Sequence, residues 1–194
     1  MRILHGPRRS TRALAFAPGD PGTLASGGDD RTVRLWNPCT GDNWATLRGH
    51  GDGVLALAFS ATGGHLVSGA RDGSLALWDV ALERRDHALA LYDGPVSAVA
   101  FAPNGLLYLA ALRSDRYPGE AGRLVCVNVQ QGEAVERLDW AGGVEAAAFA
   151  PGGWALGIAD LGRGVEFWEV GGRRRQTVLR FAQRVRCLAF SPPG

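Results

Sequence analysis

The stretch that decides the fold is GHGDGVLALAFSATGGHLVSGARDGSLALWD, residues 49–79. Four apolar segments of five or six residues lie in this stretch and just after it: 54–59, 65–69, 74–78 and 86–91. Leu, Val, Ala and aromatic residues dominate them, and turn formers such as Asp72-Gly73 separate them. Short apolar segments bounded by Gly and Asp are typical of β-strands joined by tight turns. No sustained apolar pattern of period 3.6, which would indicate helix, occurs in the chain.

The same module recurs along the chain at a nearly constant interval. Five segments of small apolar residues end in a phenylalanine: Phe16, Phe59, Phe101, Phe149 and Phe190. The spacings between these phenylalanines are 43, 42, 48 and 41 residues. Four strands in about 42 residues are the signature of a β-propeller blade. We therefore predict an all-β fold with four four-stranded antiparallel blades in an incomplete or open ring.

The second repeat resembles a complete WD-repeat (WD40) unit. The motifs that carry the resemblance are Gly49-His50, Ser68-Gly69, Asp72-Gly73 and Trp78-Asp79. The resemblance implies that His50, Ser68, Asp72 and Trp78 form a buried hydrogen-bonded set, in which each polar group satisfies another. A Ser-His-Asp catalytic triad is the alternative, but a triad inside a sheet would have neither a nucleophile elbow nor an oxyanion hole.

The other repeats depart from this set. The first keeps Ser26, Asp30 and Trp36 but has Pro7 where His is expected. The third has Val127 at the Trp position. The fourth has Gly162 and Trp140 at the Asp and His positions, with Asp160 as a partial substitute. We expect these three blades to depend on packing and to be less rigid than the second.

We predict a single WD-repeat propeller domain over residues 1–194. Its blades are expected at approximately 11–48, 53–91, 95–138 and 143–181, with lone strands at 1–4 and 184–190. Because WD-repeat rings usually close with roughly seven or eight blades, the resemblance implies a fragment of a longer propeller. The alternatives are an arc that a second copy completes and a closed ring of four blades.

Composition excludes several classes of chemistry. The chain is 46% hydrophobic and 21% charged with a net charge of +2, so a globular protein is expected and nucleic-acid binding through a strongly basic surface is not. Every basic residue is Arg, which excludes the lysine of Walker A loops, kinases and Schiff-base enzymes.

The cysteines and histidines lack the spacing of metal sites, so we expect no metal and no cofactor. Isolated thiols, and the lack of a signal peptide or membrane span, favour the cytoplasm and no membrane partner.

Function is expected on the loops. The resemblance places partners on the face formed by the loops from outer to inner strands and from second to third strands. The candidate partner-contacting residues there are Arg8, Arg9, Arg71, Arg113, Arg116, Tyr117, Arg163 and Arg184, with Arg12, Asp29 and Arg31 nearby. Three of them lie in an insertion of about seven residues between Ala111 and Leu124 in the third repeat. Arginine binds carboxylate or phosphate at two points, which favours an acidic or phosphorylated segment. Solvated loop charge and neutral loop variation are the alternatives.

The sequence thus predicts a non-catalytic WD-repeat scaffold that binds peptide or protein partners through loop surfaces. Two alternatives stay open. One is a sensory or scaffolding portion of a larger signalling protein, such as a kinase or an ATPase. The other is an RNA-associated propeller that uses the arginine run 173–175 in a third-to-fourth strand loop. Self-association that completes the ring also stays open.

Overall fold

The computed structural model describes most of the chain. The described residues are 9–18, 22–90, 94–105, 107–112, 122–140, 143–151, 153, 155–160, 164–169 and 174–191. All regular elements among them are β-strands.

The strands form four sheets in chain order. The first sheet contains β1 (Thr11–Phe16), β2 (Leu24–Gly28), β3 (Thr32–Trp36) and β4 (Asn43–Arg48). The second contains β5 (Val54–Phe59), β6 (His65–Ala70), β7 (Ser74–Asp79) and β8 (Arg84–Ala90). The third contains β9 (Val96–Phe101), β10 (Leu107–Leu112), β11 (Gly122–Asn128) and β12 (Ala134–Trp140). The fourth contains β13 (Val144–Phe149), β14 (Ala155–Asp160), β15 (Gly164–Glu169) and β16 (Arg174–Arg180).

Each sheet is an antiparallel meander in which every strand pairs with the next one in sequence. Consecutive sheets contact each other through their first strands, so that β1, β5, β9 and β13 lie side by side in that order. The predicted all-β fold of four four-stranded antiparallel sheets is confirmed, and the arrangement is that of an incomplete β-propeller. The four sheets span residues 11–48, 54–90, 96–140 and 144–180.

The hydrophobic core is divided among the sheet-to-sheet interfaces. Between the first and second sheets, Leu35 and Val33 pack with Val54 and Phe59 of the next sheet. Between the second and third sheets, Leu77 packs in the same way with residues of β9. Leu35 and Val33 are fully buried. Because apolar burial is the main driving force of folding, each sheet depends on its neighbours for stability.

Glycine allows the close approach of the sheets at the second-to-third interface. Gly69 in β6 lies directly against Val96 of β9, and a Cβ atom at position 69 would overlap the Cγ1 atom of Val96. Gly27 occupies the same place in β2, where a Cβ atom would come within 2.6 Å of the Cγ1 atom of Val54. The Ser-Gly pair of the repeat therefore has a packing role as well as a polar one.

The chain end differs from the prediction. Residues 184–190 were expected to form a lone strand, but residues 181–191 contain no strand. The segment nevertheless packs on the fourth sheet, where Val185 and Leu188 contact the cluster that contains Ala159 and Val165. A strand requires a hydrogen-bonded neighbour, and the described residues offer this segment none. The other lone strand, at 1–4, lies outside the described residues.

Two loop assignments also need correction. Arg12 was placed in the first loop but lies within β1. The arginine run 173–175 was placed in a loop, whereas β16 already begins at Arg174. The insertion of the third repeat, between β10 and β11, lies outside the described residues.

The fit at Gly69 leads to a stability prediction. We expect Gly69→Ala to lower the free energy of unfolding by about 1–3 kcal/mol, because the added methyl group forces apart two sheets that are already in contact. The matched control is Gly64→Ala on the exposed turn before β6, where the nearest atom would lie 3.6 Å away, and we expect a change within about 0.5 kcal/mol. Urea denaturation measures both. Equal effects of the two substitutions would contradict the packing role of Gly69.

Candidate functional site

The polar side chains predicted for the second sheet converge on Ser68. This residue is fully buried in the middle of β6. The indole N–H of Trp78 donates to the Ser68 Oγ atom at 2.8 Å, and the Nε2 atom of His50 lies 2.6 Å from the same oxygen. Antiparallel pairing sets this geometry, because Ser68 and Trp78 lie near each other on the paired strands β6 and β7. The hydroxyl thus joins the segment before β5 to the third strand.

The link from His50 to Asp72 runs through a residue that the sequence analysis missed. The Nδ1 atom of His50 lies 2.7 Å from the Oγ atom of Ser74. That hydroxyl donates to the Oδ1 atom of Asp72 at 2.6 Å, and the backbone N–H of Ser74 donates to the same oxygen at 3.0 Å. The Oδ2 atom of Asp72 accepts from the backbone N–H of Gly51 at 2.8 Å. The position of Ser74, two residues after the turn aspartate, was the sequence signal that could have predicted this bond.

Two features favour glycine at position 49, in the Gly-His motif: the backbone conformation and the limited space beside it. Its φ of +143° lies in a region that residues with a side chain rarely adopt. The Arg85 guanidinium lies over this glycine and donates to its carbonyl oxygen at 3.3 Å. A Cβ atom at position 49 would come within 2.6 Å of that guanidinium. Because that guanidinium is the movable end of a flexible side chain, the positive φ is the stronger requirement for glycine at position 49.

Burial controls the charge of His50. Desolvation lowers the pKa of the imidazole to about 4, Asp72 opposes this shift and Arg85 adds to it. The neutral ring suits its position, since its two nitrogens face the hydroxyls of Ser68 and Ser74. Hydrogen bonds from Ser74 and Gly51 hold the pKa of Asp72 below its usual value against the opposing effect of burial.

The first sheet carries a reduced version of the same arrangement. The Trp36 indole donates to the Ser26 Oγ atom at 2.8 Å. The Thr32 hydroxyl donates to Asp30 at 2.7 Å, in the place of the Ser74-to-Asp72 bond of the second sheet. The Arg34 guanidinium also donates to Asp30, at 3.2 Å. The proline expected at the His position, Pro7, lies outside the described residues.

The third and fourth sheets have little of this network. Val127, which stands at the Trp position of the third sheet, is fully buried among apolar side chains. In the fourth sheet the Trp168 indole donates to Glu166 at 3.1 Å rather than to a serine. Asp160 accepts from the backbone N–H of Gly164 at 2.8 Å and so closes the turn. The side chain of Trp140 and residue Gly162 lie outside the described part of the structure.

The network around Ser68 has no access for a substrate. Ser68 is fully buried and His50 is 9% exposed. Both sides of the Ser68 hydroxyl are already engaged, since it lies against Trp78 and His50 together. A nucleophile needs a free path to the reacting carbonyl and an oxyanion site beside it. These hydrogen bonds connect strands, and they do not form a reactive centre.

Charged side chains meet on the loop surface, by which we mean the ends of the first and second sheets around residues 9–12, 29–31, 50–53 and 71–73. Arg12 binds Asp29 with two nitrogens, the shorter contact being 2.8 Å. Arg71, from the next sheet, reaches the same carboxylate at 3.3 Å and Asp52 at 3.9 Å. Bidentate hydrogen bonding from Arg12 holds the pKa of Asp29 below its usual value. The side chains of Arg12 and Arg71 stay nearly half exposed, at 47% and 45%.

The other candidate residues lie apart or outside the described structure. Arg9 is exposed at the edge of the loop surface. Arg184 lies beside the fourth sheet, where its guanidinium is 3.9 Å from Glu145. The remaining predicted residues lie outside the described residues: Arg8, Arg113, Arg116, Tyr117 and Arg163. The structure thus brings Arg71 together with Arg12 and Asp29, and places Arg184 at a different sheet.

The structure also contains a groove that was not predicted from the sequence. A groove of about 360 Å³ opens between the first and second sheets, and Trp44, Pro18 and Val80 line it. The Trp44 side chain is 40% exposed there. Among the described residues, no ionisable side chain lines this groove, so those residues provide no charge to recognise an acidic segment.

The described residues contain neither a metal-binding cluster nor a membrane-spanning helix. No group of three or more His, Cys, Asp or Glu side chains among them is arranged to hold a metal ion. The same residues contain no helix of the length and apolar character needed to span a membrane. Cys39, Cys126 and Cys187 take part in no disulfide bond.

Comparison with known proteins agrees with this geometry. The WD40 family model, described as WD domain, G-beta repeat, matches residues 1–37 and 41–79. The whole chain is 30% identical to nuclear distribution protein PAC1-2 of Uncinocarpus reesii, over 38% of that protein. Over 84% of its length, the chain is 26% identical to a guanine nucleotide-binding protein subunit beta of Arabidopsis thaliana, covering 44% of that protein. A coronin-like protein of Saccharomyces cerevisiae is 36% identical over 43% of the chain, which corresponds to 13% of that protein.

These matches, together with four antiparallel four-stranded sheets, identify the chain as a member of the WD-repeat family. The chain spans less than half the length of each of these relatives. The two matched segments are those in which a serine, partly buried at Ser26 and fully buried at Ser68, accepts a hydrogen bond from the tryptophan of the third strand.

The two serines provide a matched pair of substitutions. Ser68→Ala leaves the buried groups of both His50 and Trp78 without their partner, whereas, among the described residues, Ser26→Ala deprives Trp36 alone. At about 1–3 kcal/mol for each unsatisfied group, we expect Ser68→Ala to lower the free energy of unfolding by roughly twice as much as Ser26→Ala. Urea denaturation at pH 7 measures both. Equal losses would show that the His50 bond to Ser68 adds no stability.

The low pKa of His50 predicts acid sensitivity. Below pH 6.5 the unfolded chain takes up a proton at His50, which the folded chain resists until the pH approaches about 4. The free energy of unfolding should therefore fall as the pH drops through this window, by about 2 kcal/mol at pH 5. His50→Gln should be less stable at pH 7 but should lose less between pH 7 and pH 5. Parallel pH profiles of the two proteins would contradict the prediction.

Proposed function

We propose that the chain is a non-catalytic WD-repeat scaffold that works without a cofactor and binds an acidic or phosphorylated segment of a partner protein on its loop surface. The observation that carries the proposal is the pair of half-exposed arginine side chains, Arg12 and Arg71, held on the single carboxylate of Asp29. Isolated thiols favour a cytoplasmic location.

Fixed arginines suit this role better than mobile ones. Asp29 holds Arg12 through two nitrogens and Arg71 through one, so less side-chain freedom is lost when a ligand binds. Each guanidinium has further N–H groups beyond those that face Asp29, and a planar fork matches a carboxylate or a phosphate. Arg9 lies exposed beside them and adds positive charge at the edge of the surface.

The family supports a binding role for such a surface. A rigid stack of sheets that presents loops at its ends is suited to recognition rather than to chemistry. The polar network around Ser68 is buried and its side chains are paired with one another, so the exposed loop ends are where a partner can make contact. The described residues of the groove at Trp44 carry no charge, so the loop surface is the better match for an acidic segment.

A peptide series tests the proposal. Acidic peptides with and without phosphoserine, and basic peptides of the same length, are titrated against the chain by fluorescence anisotropy. We expect binding of the acidic peptides only, tighter with phosphate, and weaker as salt rises because exposed charges are screened. Arg71→Gln should weaken that binding at least tenfold.

The control variant is Arg84→Gln. Arg84 is also exposed and also pairs with a carboxylate, Asp86, at 3.3 Å, but it lies in β8 outside the loop surface. We expect it to leave binding unchanged. Equal binding of acidic and basic peptides, or an equal loss in the two variants, would contradict the proposal.

A further inference from the structure

The groove between the first and second sheets, which we call the Trp44 groove, lies at the opposite ends of the strands from the loop surface. The turns after β1 and β5 and the segment after β7 line it, and Trp44 reaches it from the start of β4. Its described lining includes the small residues Ala17, Gly63, Gly64 and Ala81, which leave room beside the indole. Its volume of about 360 Å³ is near the lower end of the roughly 300–1,000 Å³ of ligand pockets, so a short peptide segment fits it.

Trp44 differs from the other tryptophans whose side chains the structure describes. The indole N–H groups of Trp36 and Trp78 donate to serines, and that of Trp168 donates to a glutamate. Among the described residues, the Trp44 indole has no such partner, and Trp44 is 40% exposed. An indole combines a large apolar face with one N–H donor, which is why tryptophan is enriched at protein interfaces. Trp44 thus offers both a flat apolar surface and a donor to a segment that enters the groove.

Charge and hydrogen bonding at the groove restrict the chemistry of that segment. No described lining side chain is ionisable. Two backbone acceptors are already engaged, since the carbonyl oxygens of Thr23 and Gly64 accept from the N–H groups of Ala17 and Val80, each at 3.0 Å. A charged segment, or one with many N–H groups, would lose its hydrogen bonds with water and find few replacements here. The groove therefore suits a segment that has no charge and few N–H donors, and that presents a carbonyl oxygen to the indole.

We propose that the Trp44 groove binds an extended, uncharged, proline-rich segment of a partner protein. Proline has no backbone N–H, and a segment in the polyproline II conformation keeps its carbonyl oxygens free of internal hydrogen bonds. A proline ring packs on the face of the indole, and a neighbouring carbonyl oxygen accepts from the indole N–H. Because such a segment is already extended before it binds, it loses little conformational entropy on docking.

This site is independent of the loop surface. The loop surface presents the arginines Arg12 and Arg71, whereas the described residues of the Trp44 groove are uncharged. Binding in the groove should therefore not weaken as salt rises, because no exposed charge pair contributes to it. The two surfaces lie at opposite ends of the same pair of sheets, so they contact different segments.

A pool of short, capped, uncharged peptides, titrated by fluorescence anisotropy, provides the test. Each member carries two prolines separated by two variable apolar residues, and a matched pool has alanine in place of every proline. We expect members of the proline pool to bind, members of the alanine pool not to bind, and the affinity to stay constant as salt rises. Trp44→Ala should weaken the binding at least tenfold. Trp44→Phe, which keeps an aromatic ring but removes the donor, should weaken it less than Trp44→Ala does.

The matched control is Phe181→Ala, because Phe181 is an aromatic residue of similar exposure, 46%, that follows β16 in the fourth sheet. It should leave peptide binding unchanged, and so should Arg71→Gln, which separates this site from the loop surface.

Nuclear magnetic resonance of the unmodified chain gives a second readout, which stands even if Trp44→Ala fails to fold. The indole N–H resonance of Trp44 should move when a proline-rich peptide binds, whereas that of the buried Trp78 should not. Equal binding of the two pools, binding by neither, a Trp44 resonance that does not move, or equal losses in Trp44→Ala and Phe181→Ala would overturn the proposal.

Discussion

Contact between one sheet and the first strand of the next is the constraint on which the structure depends. A four-stranded meander cannot bury its own apolar face, so each sheet is completed by its neighbour. Glycine at positions 27 and 69 lets a valine from the first strand of the next sheet approach the backbone closely. The Ser-Gly pair therefore combines two requirements in adjacent residues: a buried hydroxyl for the tryptophan and an empty place for the next sheet.

Much of this could be predicted from the sequence because the signals are local and repeated. The period of the phenylalanines and the Asp-Gly turn between β6 and β7 define strands and their order before any contact is known. The residue types around Ser68 also determine their own partners, since a buried imidazole, hydroxyl and indole must satisfy one another. Ser74 escaped attention because the resemblance specified four residues, although its hydroxyl stands two residues after the turn aspartate.

The remaining features depend on relations between sheets, which a single repeat does not encode. Arg71 pairs with Asp29 across 42 residues of sequence, and only the side-by-side placement of the sheets brings them together. The segment 184–190 has the sequence of a first strand, yet it lacks the hydrogen-bonded neighbour that would make it one. The sequence pattern predicts that a segment favours the extended conformation, but a strand forms only where a neighbouring strand is available for hydrogen bonding.

The unequal polar networks have a consequence for motion. Hydrogen bonds tie β6, β7 and the segment before β5 together in the second sheet, fewer such bonds connect β2 and β3 in the first sheet, and the third sheet has an apolar valine at the equivalent place. In a linear array each unit opens with a free energy set by its own bonds and its neighbours. Amide hydrogens of β6 and β7 should thus exchange with solvent most slowly, and the sheets on either side of the second sheet should open more often.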